Sequence, residues 1–498
     1  MGKIYRDPAK AAGESYDLII VGGGVYGIML SLEASRRKLR PLLLEKDDFG
    51  GATSYNSLKI IHGGLRYLQS LDLHRFRESV KERQWFLRTF PDYVSPLPCL
   101  MPLYGEALRH PFVMHMALLA NDCLSFRRNR SVRPDMQISP GKVISEEQTR
   151  RMFPRVDTGG LKGGAVWHDA IMPDSQRILI EILCFANKFG ASTLNYVEAR
   201  HLIQRNNSVE GVIALDHETG RTHEFRSLIV INATGPWCRE VAKSFDRDIP
   251  SLFVHSLAWN VLFKRESLSD SGLAVTPRKP AGQTYFLLPH KGMLLAGTGH
   301  APSDGVSESP QPSEEDLFHF IGEINRTIPG LALGPHDVLH VYSGYLPVRE
   351  GTETELTKRE VIYDHGKNGG PNGLYTIAGI KFTTSRRVAE KVLDRIFPDK
   401  GYHDSIDAQF EISSDSRERR GIYEPAWHPD VNDHHWKGPL KTIIEDESVL
   451  HLDDLLLRRS NLGDNPERAK KIAPYICDLF DWDEEQAKRE VESFMKNL

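Results

Sequence analysis

Three patterns in this 498-residue sequence predict an α/β architecture, α+β over its whole length. Residues 16–45 hold an apolar strand, Leu18 to Val21, then a glycine turn, a helix-forming segment and a second apolar run, Leu42 to Leu44, ending on Glu45. Parallel strands joined in this way need a crossover of about this length, and the crossover is almost always right-handed. Residues 253–298 instead show longer strands with tight turns, as in Phe286-Leu-Leu-Pro-His-Lys-Gly-Met-Leu-Leu, the mark of an antiparallel sheet. Near the C-terminus Leu450, Leu452, Leu455, Leu456 and Leu457 form the core face of a mainly helical unit.

In chain order, residues 46–56 are a polar loop leading into 57–69. An amphipathic helix is expected over 73–90, burying Phe76, Val80, Trp85 and Phe86 and ended by Pro91. Residues 96–103 read as a strand and 111–126 as a helix; Ser145-Glu-Glu-Gln148 is a capping box opening a short helix. A strand over 164–169 and a helix over 174–189 follow, and residues 192–226 alternate like a three-stranded meander. Ser227-Leu-Ile-Val-Ile-Asn-Ala-Thr-Gly235 contains four consecutive apolar residues, which fits a strand buried on both faces of the parallel sheet. A helix is expected over 313–328, and Gly373-Leu-Tyr-Thr-Ile-Ala-Gly379 leads directly into one over 381–396. After Pro398 the composition turns polar, so a boundary is placed near residue 400, with 401–498 as a helical C-terminal domain.

With 63 basic and 67 acidic residues, the net charge of -4 gives no reason to expect nucleic acid as a partner. Five scattered cysteines without a C-x-x-C pair read as buried thiols in a reducing compartment, and no metal site is expected. There is no apolar run of roughly eighteen residues, and the N-terminus lacks the apolar core of a signal peptide. The expected location is cytoplasmic; peripheral contact with the inner face of a membrane is left open, because an amphipathic face produces no long apolar run.

Gly22-x-Gly24-x-x-Gly27 between strand and helix gives these observations a chemical meaning. The first glycine allows a tight turn, the second lets a pyrophosphate approach the backbone, and the third lets helix and strand pack closely. The phosphates would meet the helix N-terminus, and Glu45 would hold a ribose hydroxyl. A nicotinamide dinucleotide leaves the turns at Asn232-Ala-Thr-Gly235 and Gly379-Ile-Lys-Phe-Thr-Thr384 unexplained. FAD accounts for both, because its adenine, pyrophosphate and isoalloxazine ends are held by distant pieces of chain.

Ala52-Thr-Ser-Tyr-Asn-Ser-Leu-Lys-Ile-Ile-His-Gly-Gly-Leu-Arg-Tyr-Leu68 is similar to the signature of FAD-dependent glycerol-3-phosphate dehydrogenases, within the D-amino-acid-oxidase-like flavoproteins. Asn232-Ala-Thr-Gly-Pro-Trp237, Tyr342-Ser-Gly344, Gly379-Ile-Lys-Phe-Thr-Thr384 and Leu452-Asp-Asp-Leu-Leu-Leu-Arg-Arg459 resemble further elements in the family's order. The resemblance implies one oxidoreductase unit over 1–400. Within it, a Rossmann-like FAD subdomain (16–90, 145–245, 340–400) is interleaved with an antiparallel-sheet substrate subdomain (91–144, 246–339). It implies oxidation of a secondary alcohol in a small hydroxyl substrate beside a phosphate, with the hydride passing to flavin N5 and then to quinone or oxygen.

By the same resemblance, Arg66 is a substrate-phosphate arginine, Lys381 an active-site lysine and Arg359 a further arginine of the site. A cation in the first turn of the expected 381–396 helix would oppose its dipole, so a role for Lys381 beside substrate or flavin is expected. His62 is either a base or flavin contact or a satisfied core histidine, and His255 is expected to be structural. Besides Gly22, Gly24, Gly27 and Glu45, the FAD-binding candidates are Thr53, Ser54, His62, Gly63, Gly64, Ala233, Thr234, Gly235, Gly379, Lys381, Phe382 and Thr383.

The departures fall in the substrate half. Leu346 stands where the family has a second phosphate-binding arginine, with Arg349 three residues on. Tyr55, Asn56 and Leu58 add bulk to the serine-rich loop, and Leu257-Ala258-Trp259 replaces a Gly-Ser-His element. The expected substrate is therefore another hydroxyl compound, larger and less anionic than glycerol 3-phosphate. An amine or amino-acid oxidase and a non-catalytic flavin-binding redox sensor are the alternatives, since the wider fold serves several chemistries.

Overall fold

The computed structural model describes residues 2–105, 109–252, 254–277, 283–303, 305–348, 357, 359–379, 381–401 and 436–497. Leu18–Val21 lies at the centre of a six-stranded sheet, parallel to Pro41–Leu44 on one side and Val230–Asn232 on the other. Ser192–Leu194 and Leu374–Ala378 extend it in parallel, and Val361–Asp364 closes one edge antiparallel. Leu18 and Ile20 face helices Val25–Arg36, Ser175–Lys188 and Ser385–Ile396, whereas Ile19 and Val21 face a three-stranded meander. Cover on both faces is why these strands read as unbroken apolar runs.

The second sheet has nine strands, in the order Val338–Val348, Val254–Glu266, Met293–Pro302, Tyr285–His290, Gly272–Val275, Ser95–Leu103, Gly163–Ile171 and Ile60–Ile61, with Lys142–Ile144 paired to Gly163–Ile171. Ile60–Ile61, Gly163–Ile171 and Val338–Val348 come from segments that the sequence reading gave wholly or mostly to the FAD subdomain, so the interleaving is finer than that division. Helix Glu314–Thr327 carries Phe320, Ile321 and Ile324 into the core on one face of this sheet.

Three local expectations change. The meander consists of Val197–Arg205, Ser208–Asp216 and Thr222–Arg226; Ser192–Leu194, set apart by the left-handed turn at Tyr196, joins the parallel sheet instead. The helix expected from Lys381 begins at Ser385, which removes the dipole argument for that lysine. Cys123 is exposed, whereas Cys99, Cys184, Cys238 and Cys477 are buried.

Helices Lys437–Asp446, Pro466–Ile476 and Glu484–Asn497 surround Leu452, Leu455 and Leu456, all fully buried in the core that also holds the parallel sheet. Arg177 is buried between Glu181 and Glu447, and Arg459 pairs with Asp48. The C-terminal unit is thus tied to the loop that follows Glu45. Among the described residues no helix is long and apolar enough to cross a membrane, and no group of three or more His, Cys, Asp or Glu side chains could hold a metal ion.

Candidate active site

The glycine turn is built as its spacing requires. Gly22 has φ +106°, and a Cβ there would sit 2.8 Å from the carbonyl oxygen of Ala233, so the turns after two neighbouring strands abut. At Gly27 a Cβ would overlap the Gly22 carbonyl oxygen, and at Gly24 it would approach Ser54 Oγ at 3.3 Å. Ser54 Oγ accepts the N–H of Val25 at 3.0 Å, the first N–H of the crossover helix. Glu45 accepts the N–H of Gly23 at 2.5 Å and of Asp47 at 2.9 Å, and burial pushes its carboxyl up to about 7. A Cβ on Gly235, at φ +59°, would meet nothing within 4 Å, which leaves an open cradle beside the Ala233 turn. Gly344 packs on Thr53, whose hydroxyl donates to the Tyr345 carbonyl at 3.2 Å.

His62-Gly63-Gly64 follows the two-residue strand Ile60–Ile61 and lies against helix Leu73–Thr89. Gly63 lies over the Arg83 guanidinium, and a Cβ on Gly64, at φ +87°, would sit 2.9 Å from Ser79 Cβ. Packing against this helix gives both glycines a reason of their own. His62 Nδ1 faces Asp169 Oδ2 at 3.2 Å, and its ring meets Phe286 edge-on at 5.4 Å. Asp169 also accepts the N–H of Gly63 at 2.6 Å and pairs with Arg83 at 3.3 Å. Burial acts to raise its carboxyl, but the bond to His62 and the charges of His62 and Arg83 outweigh it and hold the carboxyl at about 2. Half of the His62 side chain remains accessible, so its other ring nitrogen is open to a ligand.

Lys381 lies between strand Leu374–Ala378 and helix Ser385–Ile396, with Nζ 4.4 Å from the ring centroid of Tyr67. Burial and the nearby charge of Arg66 lower its ammonium to about 8. Lys381, Tyr67, Tyr26, Thr384 and Arg359 line one cavity of about 270 Å³, where Lys391 is occupied by Glu78 and Glu360. Lys381, Arg66 and Arg359 have no carboxylate within ion-pair distance among the described residues. Asp72, Glu78 and Glu360 share the lining, but Asp72 pairs with Arg75 and the two glutamates with Lys391, and cations left without an ion pair suit an anionic ligand.

Residues 17–395 match the family described as FAD dependent oxidoreductase. The chain belongs to that family. It is 33% identical over 402 residues to a glycerol-3-phosphate dehydrogenase of Synechocystis, covering 77% of this chain and 70% of the relative. It is 30% identical over 400 residues to the human mitochondrial glycerol-3-phosphate dehydrogenase, covering 76% of this chain and about half, 52%, of that relative. The solved glycerol-3-phosphate dehydrogenase of Bacillus halodurans complexed with FAD superposes with TM-score 0.71 at 20% identity, over 98% of this chain and 95% of the other. The L-α-glycerophosphate oxidase of Mycoplasma pneumoniae with FAD bound superposes with TM-score 0.52 at 15% identity, over 76% and 94%.

The oxidoreductase uses FAD, and its residues fit that cofactor: a glycine cradle without side chains, an acid at the end of the second strand, and a helix N-terminus. FAD supplies the acceptor for the substrate's hydride. Ala233 and Thr234 lie against the Gly22 turn, as a site shared between two strands requires. Thr234 turns its hydroxyl inward, to Asn232 at 2.7 Å. Phe382 is half-buried and packs on Phe86 at the edge of the apolar core, and Thr383 is buried beside it. His255 bonds the Pro236 carbonyl at 3.1 Å and packs on Tyr345, a structural placement. Arg349 lies outside the described residues.

The departures do not crowd the cavity. Trp259 points into the core against Phe320, and Tyr55 is buried on Tyr342. Asn56 bonds the Ser343 carbonyl at 2.7 Å, tying the loop to the nine-stranded sheet. Sequence reasoning missed Asp169, Arg83, Tyr67 and Tyr26. Tyr67 and Tyr26 carried a signal, one next to Arg66 and the other inside the glycine fingerprint; Asp169 and Arg83 reach the site by tertiary contact. It also missed Lys59, whose buried ammonium donates to the Tyr55 carbonyl at 2.6 Å and Ser175 Oγ at 3.0 Å, and which burial lowers to about 7.

Proposed function

We infer that the flavoenzyme oxidises the CH–OH group of an anionic small molecule, a hydroxyl compound other than glycerol 3-phosphate. The observation that carries this reading is the cavity where Lys381 and Arg359, beside Arg66, have no ion-pair partner among the described residues, while the acids that share its lining, Asp72, Glu78 and Glu360, pair with Arg75 and Lys391. These cations hold the anion, and His62 takes the hydroxyl proton on the nitrogen that Asp169 leaves free. Asp169 fixes the tautomer and ring orientation of His62, as a base requires. Leu346, half-buried on the strand Val338–Val348, supplies no charge. The site is therefore less cationic than the resemblance implies.

Anaerobic loss of flavin absorbance, tested with polyol phosphates, sugars, hydroxy acids and amino acids, checks the reading. The expected best reductant is a hydroxyl compound bearing an anionic group. Equal or faster reduction by glycerol 3-phosphate overturns the substrate shift; reduction by amino acids alone favours an amine oxidase, and no reduction at all favours a redox sensor. Lys381→Met is expected to slow reduction roughly 100-fold with FAD retained.

The electron acceptor is quinone or oxygen, and one surface feature favours quinone drawn from a membrane. Phe112, Val113, Met116, Leu119, Leu124 and Phe126 are exposed on and just after helix Pro111–Leu124, with Arg127 and Arg130 beside them. An apolar face flanked by cations suits an anionic lipid surface. Co-sedimentation with phosphatidylglycerol vesicles is expected, with loss in Phe112→Ser/Phe126→Ser; no sedimentation removes this support.

A further inference from the structure

Tyr26 is an aromatic residue inside the glycine fingerprint, in the first turn of helix Val25–Arg36. Its hydroxyl reaches across to the other end of the site. It accepts the backbone N–H of Lys381 at 3.0 Å and donates to the carbonyl of the same residue at 3.0 Å. Its ring occupies the place of a side chain at Gly379, where an added Cβ would overlap the ring. Among the described residues no other group bonds the backbone of Lys381, which belongs neither to the strand before it nor to the helix after it. Tyr26 and Lys381 line the same cavity.

We propose that Tyr26 is a positioning residue: its hydroxyl pins the Lys381 backbone, and thereby holds the Lys381 ammonium against Tyr67 at the substrate cavity. Only a phenol fits this place. The group must both donate and accept, so phenylalanine cannot substitute, and it must span from the fingerprint helix to the loop, so serine is too short. The turn that receives the pyrophosphate and the loop that presents the lysine thereby become one rigid unit. The proposal rests on the reading of Lys381 as part of the substrate site, and the test separates the two.

Tyr26→Phe keeps the ring against Gly379 and removes both hydrogen bonds. Two readouts are taken on the FAD-loaded protein. One is the pH dependence of reductive methylation of Lys381, followed by peptide mass spectrometry. The other is anaerobic flavin reduction by the best reductant of the panel, in the Lys381 and Lys381→Met backgrounds. The lowered lysine is expected to titrate closer to an ordinary lysine in Tyr26→Phe, because it leaves the ring and its burial. Reduction is expected to fall roughly 10- to 100-fold, as a displacement of about 1 Å would produce, with no further loss in Lys381→Met. Gly379→Ala, which pushes the ring away, is expected to reproduce both effects, so the proposal stays testable if Tyr26→Phe loses its flavin. An unchanged methylation profile overturns the proposal, as does an equal loss of rate in the Lys381→Met background. Unchanged reduction in Lys381→Met alone would instead remove Lys381 from the site, and the methylation profile would still decide on Tyr26.

Discussion

Asp169→Asn tests whether the His62 corner is held by one buried charge. The carboxylate is 4% exposed, receives the Gly63 N–H at 2.6 Å and the Trp167 indole N–H at 3.3 Å, and faces both His62 and Arg83. Its fall from the ordinary carboxylate value to about 2 corresponds to about 2.5 kcal/mol of stabilisation. The group is depressed, so this contribution is present above about pH 4 and is lost as pH falls through about 2. Asparagine also leaves the Arg83 guanidinium buried with the His168 carbonyl at 2.5 Å but no carboxylate. Breaking a buried pair in this way costs about 3–5 kcal/mol.

A chain of this size need not unfold in one step, so the measurement must be local. Native-state hydrogen exchange of the peptide spanning residues 58–70 reports the opening energy of the corner. Exchange is expected to quicken about 100-fold at pH 7, which is about 3 kcal/mol. A change below about threefold would mean that the neutral amide serves as well, and would refute the electrostatic account of His62 placement.

Arg459→Met strands Asp48 beside Asp454 at the root of the Glu45 loop; FAD release is expected to quicken at least tenfold, and unchanged release would disconnect the C-terminal unit from the cofactor. Leu346→Arg is expected to tighten glycerol 3-phosphate binding about tenfold in a flavin absorbance titration, and no gain would place Leu346 away from the anion. His451 bridges Glu218 and Glu490, and its bonds to them raise it to about 10. Its contribution to stability is therefore full below about pH 6.5 and disappears as pH rises through about 10. His451→Gln should remove that dependence from the melting temperature, and an unaltered profile would exclude it.

Several elements were legible because their causes are local. Strands Leu18–Val21 and Pro41–Leu44, the Ser145 capping box and helix Leu73–Thr89 follow from neighbouring residues, period and turn chemistry. Ser192–Leu194 was assigned to the wrong sheet because three residues carry the same alternation whichever neighbour they pair with. The helix start was set too early because nothing in Lys381-Phe-Thr-Thr384 reveals that a tyrosine far along the chain holds Lys381 by its backbone.

The cofactor end was legible in the sequence alone: the Gly22–Gly27 spacing, Glu45 and the apolar strands read as a dinucleotide turn, and the turns at Asn232 and Gly379 pointed to FAD. The tertiary structure decided the substrate end. Arg66, Arg359 and Lys381 come from separate segments, and whether their charges meet depends on how two interleaved sheets close on each other. His62 acquired an orienting carboxylate, and Gly63 and Gly64 acquired a packing reason, only when helix Leu73–Thr89 and strand Gly163–Ile171 closed over them. Contacts across a hundred or more residues leave no period in the sequence, because the groups that fix each other there are set by packing rather than by their neighbours along the chain.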